Sequence, residues 1–291
     1  MALSDQPMVV VSSIGMIRES LAHWRQDGQT IALVPTMGNL HEGHMALIRR
    51  AREIADRVVV SIYVNPSQFS PGEDYERYPR TLEHDRALLS EAGVDLLFTP
   101  TDALMYPGGL PVKVQVSVPG LRDTLCGAHR SGHFDGVATV VTKLLHIIAC
   151  DYVLFGEKDL QQLYIIRRLV EELLFPVEVI SVPTCREKDG LALSSRNAYL
   201  SASQRRDALM MSRILHETAG KILSGERDYP SLSRNGDHRL RDAGFDVDYF
   251  TIRQLDDFGL PESDASRIAI LAAGWLGKTR LIDNSILSLG E

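Results

Sequence analysis

Short apolar runs separated by turn signals recur along the first two thirds of the chain. Five such runs predict strands that are buried on both faces: 31–34, 57–64, 95–98, 152–155 and 177–182. Longer segments between them carry apolar residues three and four positions apart, which is the spacing of an amphipathic helix. Because strands alternate with helices, the pattern predicts a doubly wound, mostly parallel α/β sheet.

The patterning changes near residue 185. Valines at every second position of 112–118 still predict a half-exposed strand within the first part. Beyond 185 the chain predicts a long helix at about 203–223, a polar segment with another helix, and two strand-like runs, "VDYFTIRQ" and "RIAILAAGWLG". We therefore expect two domains, 1–185 and 186–291.

Composition and charge narrow the class of protein. The chain has 291 residues and a net charge of -7, so it lacks the basic surface that coats nucleic acid. Its three cysteines form no CxxC pair, which argues against a disulfide framework and a structural zinc site and favours a cytoplasmic setting. The N-terminus does not have the pattern of a signal peptide, and no apolar run approaches the length of a membrane-spanning helix.

The segment "PTMGNLHEGH", which follows the first predicted strand, is the leading candidate for chemistry. A helix that starts near His41–His44 offers unpaired N–H groups and a positive dipole end, where phosphate binds readily. Gly38 and Gly43 allow close backbone approach, and the two imidazoles, three residues apart, can both donate to a phosphate oxygen. Alternatively, the glycines form a turn and the histidines cap the helix. A zinc site is a weaker alternative, because HEGH lacks the HExxH spacing.

Two more segments follow predicted strands and so lie at the edge where open α/β sheets bind ligands. In "VNPSQF", Gln68 offers an amide for a polar substrate, although a plain loop explains the segment as well. In "FGEKDLQQL", Gly156 permits a tight turn, Lys158 supplies a charge for phosphate, Asp159 can cap a helix, and Gln162 follows four residues after Lys158. A helix start with a surface ion pair is the structural alternative.

A fourth segment, "DGLALSSRNAYL", lies at the expected domain boundary. Ser194, Ser195 and Arg196 place two hydroxyls and a guanidinium in a row, as in a lid that closes over nucleotide phosphates. An inter-domain loop with a helix cap is the alternative.

Taken in order, "VPTMGNLHEGH", "VNPSQF", "GEKDLQQL" and "LALSSRN" resemble the pantoate–β-alanine ligases, which belong to the HxGH nucleotidyltransferase superfamily. The segments "YPRTLEHD", "RSGHFDGVATVV" and "AAGWLGKTRLIDN" extend the resemblance to about 30–285. It implies a Rossmann-like domain, a smaller α+β C-terminal lid domain and a cytoplasmic homodimer. It also implies that ATP, with Mg²⁺, and (R)-pantoate form pantoyl adenylate and pyrophosphate, after which β-alanine displaces AMP to give pantothenate.

The resemblance also implies residue roles. His44, His41 and Lys158 would be catalytic, the substrates would meet Gln68 and Gln162, and Arg130 would reach the substrate region or the phosphates. The ATP site would comprise Met37, Gly38, Asn39, Leu40, His41, Glu42, Gly43, His44, Gly156, Glu157, Lys158, Asp159, Cys185, Leu193, Ser194, Ser195 and Arg196. No side chain is assigned to the metal, and no nucleic acid or membrane is expected as a partner.

Two rival interpretations stay open at this point. Another adenylate-forming enzyme on the same scaffold would also use HxGH and a basic lid, and would bind ATP without using pantoate. A non-catalytic nucleotide-binding module would need the phosphate site but not the pair Gln68 and Gln162.

Overall fold

The computed structural model describes residues 7–262 and 265–289. Residues 1–6 lie outside the described residues. They are part of the N-terminal segment whose sequence does not predict a signal peptide. Among the helices that are described, none combines the length and the apolar character needed to cross a bilayer.

The chain divides into two compact units, Met1–Pro183 and Thr184–Glu291. The sequence placed the boundary two residues later. The roles assigned to the two domains, nucleotide binding and lid, stay predictions.

The first unit is built on six parallel strands. They are β1 (Val9–Val11), β2 (Ile31–Thr36), β3 (Arg57–Ile62), β4 (Leu96–Phe98), β5 (Tyr152–Gly156) and β6 (Glu178–Val182). The order across the sheet is β1-β4-β3-β2-β5-β6. The five predicted strands are confirmed with small shifts at their ends, and β1 is an addition from a part of the chain whose pattern carries little signal.

Seven helices belong to this unit within the described residues. They are α1 (Ile14–Gln26), α2 (Glu42–Ile54), α3 (Leu82–Glu91), α4 (Asp102–Met105), α5 (Cys126–His129), α6 (His133–Ile148) and α7 (Leu160–Glu172). Successive strand residues point to opposite faces, so Ala32 and Val34 of β2 pack in one cluster with Leu47 and Ile48 of α2. Ile31 and Leu33, on the other face of the strand, are equally inaccessible. Cover on both faces explains why the strands read as unbroken apolar runs.

The predicted strand at 112–118 is wrong. The segment is irregular, and none of the described strands pairs with it. The backbone N–H of Val116 donates instead to the hydroxyl of Thr139 at 2.9 Å, while Val114 is 76% exposed and Val118 is buried. Alternation alone records which side chains are covered, whereas a strand also needs a partner for its backbone groups.

The second unit is an antiparallel sheet with two helices and a short 3-10 helix, Ser195–Tyr199. After it come α8 (Ala202–Leu223), α9 (Tyr229–Asp242), β7 (Asp246–Gln254), β8 (Arg267–Leu276) and β9 (Thr279–Ser288). The strand order is β7-β8-β9, and both helices contribute to the apolar cluster on this sheet. Both predicted helices and both predicted strands are confirmed, together with the expected fold class of a parallel α/β sheet and a smaller α+β unit.

The topology of the first unit selects one place for a ligand. From β2 the chain crosses through α2 to β3 on one side, and from β5 it crosses through α7 to β6 on the other. β2 and β5 are neighbours, so the strand order reverses between them, and the carboxyl ends of such a pair, here Thr36 and Gly156, are where open α/β sheets bind ligands.

Candidate active site

The loop that leaves β2 turns through left-handed backbone and is held by one carboxylate. Gly38 has φ 78° and Asn39 has φ 51°. The fully buried Asp85 of α3 accepts hydrogen bonds from the N–H of Asn39 and of Leu40, each at 2.9 Å, and from the hydroxyl of Thr81 at 3.1 Å. A Cβ at position 38 would lie 3.1 Å from an Asp85 oxygen, so glycine serves both the turn and the close approach.

The loop delivers the chain into α2 through a reciprocal cap made by two histidines. His41 is the N-cap residue, and its Nδ1 accepts from the N–H of Gly43 at 3.1 Å. The Nδ1 of His44 accepts from the N–H of His41 at 3.2 Å, and the two rings lie 4.1 Å apart between centroids. An imidazole nitrogen that accepts carries no proton, so both neutral rings hold their proton on Nε2. The capping alternative is therefore correct for Nδ1, and it leaves each Nε2–H as a donor.

Burial and positive neighbours keep both rings neutral. Burial lowers the pKa of His44 to about 3, and His41 and Lys158 add to the shift. The pKa of His41 is lowered by burial and then by Lys158, partly offset by Asp159. At neutral pH the pair offers two uncharged N–H donors beside a positive helix end, an arrangement suited to polyanions.

Lowering the pH is expected to destabilise the first unit through His44. The unfolded state takes up a proton near the ordinary histidine pKa of 6.5, but the folded state does so only near 3. This contribution is complete above the unfolded pKa and is lost progressively as the pH falls toward the folded one. At about pH 5 the loss should be about 1–2 kcal/mol, allowing for the ring's partial contact with solvent.

Urea unfolding at neutral pH and at about pH 5 measures this loss. His44→Asn keeps an acceptor near the Nδ1 position and should show a smaller loss, and His84→Asn, at an exposed residue of α3, serves as the control. Equal losses in the wild-type protein and in His44→Asn would contradict the assignment.

The segment after β5 brings a lysine, Lys158, close enough to lower the pKa of His41 and of His44. Gly156 ends the strand, and residues Glu157–Asp159 form one turn of 3-10 helix before α7. Lys158 is only 19% exposed, and its ammonium lies 3.9 Å from the carboxylate of Asp159. The carboxylate of Asp159 is 52% exposed, so the pair joins a half-buried lysine to a surface carboxylate, as in the structural alternative. Asp159 occupies the N-cap position of α7, but its side chain makes no capping hydrogen bond, so the predicted cap is wrong.

Gln68 follows β3 in a short 3-10 helix, Pro66–Gln68, and its amide has a defined orientation. The side chain is buried, and its Oε1 accepts from the Nδ2 of Asn65 at 2.9 Å. Its Nε2 lies 3.2 Å from the sulfur of Met37, on the loop that leads into α2. Asn65 is oriented in turn by the phenol of Tyr106, which donates to its Oδ1 at 2.7 Å. Gln68 therefore presents N–H donors toward Met37, which is what a carboxylate substrate needs.

Gly136 lets α6 pack directly against the Gln68 segment. A Cβ at 136 would overlap the carbonyl oxygen of Ser67 and lie 2.7 Å from the Cα of Gln68. Gly136→Ala is therefore expected to lower stability by about 1–3 kcal/mol through overpacking, or several degrees in Tm. Gly15→Ala in α1, where a Cβ meets nothing within 4 Å, is the control and should be neutral or stabilising. A Gly136→Ala protein as stable as Gly15→Ala would contradict the prediction.

The predicted substrate residue Gln162 and its neighbour Gln161 occupy different environments. Gln162 lies in the first turn of α7 and is half-buried. Its neighbour Gln161 is buried, and its amide holds the backbone of Leu121, Thr124 and Cys126 at 2.7–3.0 Å. The amide of Gln161 is therefore occupied by backbone groups, and the sequence "LQQL" does not show which of the two glutamines is occupied.

Arg130 forms a bidentate ion pair with Glu73, with nitrogen–oxygen distances of 2.7 and 2.8 Å. Its remaining arm lies 2.9 Å from the Nε2 of His133. The proposed contact of Arg130 with substrate or phosphate stays a prediction.

The predicted lid residues lie in the second unit. Cys185 is a free, half-buried cysteine whose carbonyl accepts from the N–H of Leu193 at 3.0 Å. The hydroxyl of Ser194 accepts from the N–H of Arg196 at 3.3 Å and caps the 3-10 helix that begins at Ser195. This is the capping arrangement of the structural alternative. The predicted contacts of 193–196 with phosphates, and of the Cys185 backbone with adenine, stay predictions.

Asp85 and Asn65 were missed as site residues. A carboxylate on a helix is usually exposed, but Leu88 and Leu89, three and four residues later, put Asp85 on the inward face of α3. The spacing of these leucines could have predicted that Asp85 faces the core. For Asn65 the sequence indicated only the end of a strand, since its partners Tyr106 and Gly136 are distant along the chain.

No three His, Cys, Asp or Glu side chains within 7–262 and 265–289 are grouped so as to hold a metal ion. A protein-held metal site therefore has no candidate ligand set in this part of the chain.

Comparison with known proteins identifies the family to which nearly the whole chain is similar. Residues 9–286 match the family Pantoate-beta-alanine ligase. A pantothenate synthetase of Azotobacter vinelandii is 50% identical over 277 residues, which cover 95% of this chain and 98% of that protein. The structure of pantothenate synthetase from Thermus thermophilus aligns with a TM-score of 0.88 at 47% identity, covering 96% and 99% of the two chains. That of the Francisella tularensis pantoate-beta-alanine ligase, complexed with beta-gamma ATP and beta-alanine, aligns with a TM-score of 0.81 at 34% identity, covering 96% and 97%.

Proposed function

Because the chain belongs to the pantoate–β-alanine ligase family, a family of C–N bond-forming ligases, we propose that it condenses (R)-pantoate with β-alanine in an ATP-dependent reaction. The products are pantothenate, AMP and pyrophosphate, and pantoyl adenylate is the intermediate. The observation that carries the proposal is a helix start with two neutral imidazole donors, His41 and His44, on the same loop as Met37, toward which the amide of Gln68 is directed.

Adenylation is required because a carboxylate is a poor acyl donor. In the first step a carboxylate oxygen of pantoate attacks the α-phosphorus of ATP, and the bond from that phosphorus to the bridging oxygen breaks as pyrophosphate leaves. The Nε2–H groups of His44 and His41 and the ammonium of Lys158 stabilise negative charge on the phosphate oxygens, without proton transfer. The N–H donors of Gln68 hold pantoate, together with Gln162.

In the second step the free amine of β-alanine attacks the acyl carbon of pantoyl adenylate. A C–N bond forms, the bond between the acyl carbon and the phosphate oxygen breaks, and AMP leaves while the nitrogen loses a proton. Both steps transfer a group between bound substrates, so holding the reactants in register supplies much of the acceleration, about 7–11 kcal/mol at best. No protein nucleophile takes part in the proposal.

Mg²⁺ enters the proposal as part of the Mg·ATP substrate, since this ion is usually held by substrate phosphates and water with few protein ligands. The Francisella tularensis ligase, complexed with beta-gamma ATP and beta-alanine, supports ATP and β-alanine as ligands. The homodimer and the cytoplasmic location stay predictions.

Pyrophosphate release from Mg·ATP tests the proposal directly. With (R)-pantoate and β-alanine together we expect sustained turnover that yields AMP and pantothenate, and with (R)-pantoate alone at most a single enzyme equivalent of pyrophosphate. Binding of ATP without any pantoate-dependent pyrophosphate would overturn the substrate assignment and favour another adenylate-forming enzyme.

A further inference from the structure

Gln68 is held on its backbone side by a chain of three residues that the proposed reaction has not used. The carbonyl oxygen of Gln68 lies 2.7 Å from the Nδ1 of His133, at the start of α6. The Nε2 of His133 lies 2.9 Å from Arg130, whose other two nitrogens bind the carboxylate of Glu73.

The chemistry of these groups fixes the direction of every hydrogen bond. A guanidinium has only donors, so the Nε2 of His133 must accept from Arg130. The proton of the neutral ring is then on Nδ1, which donates to the Gln68 carbonyl. Glu73 can only accept, and it takes both remaining arms of Arg130. The four residues therefore form one chain in a single tautomer, opposite to that of His41 and His44.

The chain is shielded from solvent. The side chains of Arg130 and Glu73 are 13% and 16% exposed, and His133 is 7% exposed. A bidentate arginine–carboxylate pair with this little exposure is geometrically strict, unlike a surface ion pair. Its far end is a loop residue, Glu73, which lies five residues after Gln68, so the pair also closes the segment 68–73 on the start of α6.

We propose that Glu73, Arg130 and His133 are positioning residues that set the amide of Gln68 for pantoate. The inference rests on the proposed role of Gln68. It assigns to Arg130 a task different from the direct substrate contact expected from the resemblance. Loosening the chain should weaken the use of pantoate and leave the use of ATP nearly unchanged, because the ATP-binding loops are held by other partners, Asp85 above all.

Two isosteric variants of His133 separate the two ends of the chain. In His133→Gln the side-chain amide oxygen can take the Nε2 position and accept from Arg130, so the Arg130 contact is kept and the Gln68 contact is lost. In His133→Asn the amide nitrogen falls near Nδ1, so the Gln68 contact is kept. His133→Gln should raise the KM for pantoate about tenfold, the scale of one hydrogen bond, and change the KM for ATP by less than about twofold. His133→Asn, which loses the link to Arg130 and Glu73, should raise the KM for pantoate about threefold, less than His133→Gln does.

Controls and a spectroscopic readout keep the inference separate from folding and from the proposed function. His146→Asn, on the exposed side of α6, controls for helix substitutions, and ¹⁵N shifts of His133 in the wild-type protein report the tautomer. Equal pantoate KM values for the two His133 variants, or an Nε2–H tautomer, would overturn the inference.

Gln68→Ala tests the proposed role of Gln68 separately from the positioning role of Glu73, Arg130 and His133. If Gln68→Ala raises the KM for pantoate while His133→Gln does not, only the positioning role is wrong. If Gln68→Ala leaves that KM unchanged, the proposed role of Gln68 fails, and the inference with it.

Discussion

His44→Ala is expected to lower the rate of pantoate-dependent pyrophosphate release by a factor of about 10²–10³, the effect of losing one preorganised donor to a developing oxyanion. The ring is half-buried and neutral, and its Nδ1 is occupied by the N–H of His41, so Nε2–H is the group that the alanine variant removes. The fall should appear in kcat more than in the KM for ATP, because the donor matters most when charge builds up on the phosphate.

His44→Gln is the matched control for this prediction. Its amide nitrogen falls near the Nε2 position, so we expect it to retain a rate at least about tenfold above that of His44→Ala. Because His44 has a pKa of about 3, the wild-type rate should not rise between about pH 8 and about pH 6, as it would with an imidazolium donor. An unchanged rate in His44→Ala would remove the residue from the mechanism. A wild-type rate that rises as the pH falls would indicate that a protonated His44 donates a proton.

Asp85→Asn is expected to lower the free energy of unfolding by about 2–4 kcal/mol and to raise the KM for ATP at least about tenfold. The buried carboxylate accepts from two backbone N–H groups and one hydroxyl. An asparagine keeps the shape but replaces one acceptor oxygen with an NH₂ group, which then faces a donor. The hydrogen bonds that are lost come from Asn39 and Leu40, which directly precede the histidine cap. The substitution should therefore lower both the stability of the protein and its affinity for ATP.

Glu83→Gln makes the same chemical change two residues earlier on α3, where the side chain is 84% exposed and pairs with Arg86 at 3.2 Å. It should change neither quantity appreciably, since exposed ion pairs contribute little. Urea unfolding and initial rates at varied ATP concentration measure both effects. If Asp85→Asn behaves like Glu83→Gln, the loop is not held by this carboxylate.

The strands and helices were predictable where burial leaves a periodic trace. β2 has Ile31, Ala32, Leu33 and Val34 covered on both faces, and that cover is why its run is unbroken in the sequence. The same reasoning failed at 112–118, where Val114 is exposed and Val118 is buried without any strand. β1 was not predicted, because three residues are too few to show a periodic pattern.

Within the site, single residues with local consequences were within reach of the sequence. Gly38, the helix start at His41 and the strand end before Gln68 follow from turn and cap chemistry over a few residues. The reach of Asp85 to Asn39, and the links from Gln68 to Asn65, Met37 and His133, join residues that the chain brings together only on folding.

By itself, the sequence determined the parallel α/β order of the first unit, the smaller second unit, and the motifs that identify a pantoate–β-alanine ligase. These depend on local periodicity, on turn chemistry and on the kinds of residue present. Only the tertiary structure decided which nitrogen of each histidine is left to donate, which way the Gln68 amide faces, and which of Gln161 and Gln162 is occupied. The physical reason is that a hydrogen bond has a direction and needs a partner, and these partners are 2 to 65 positions away along the chain.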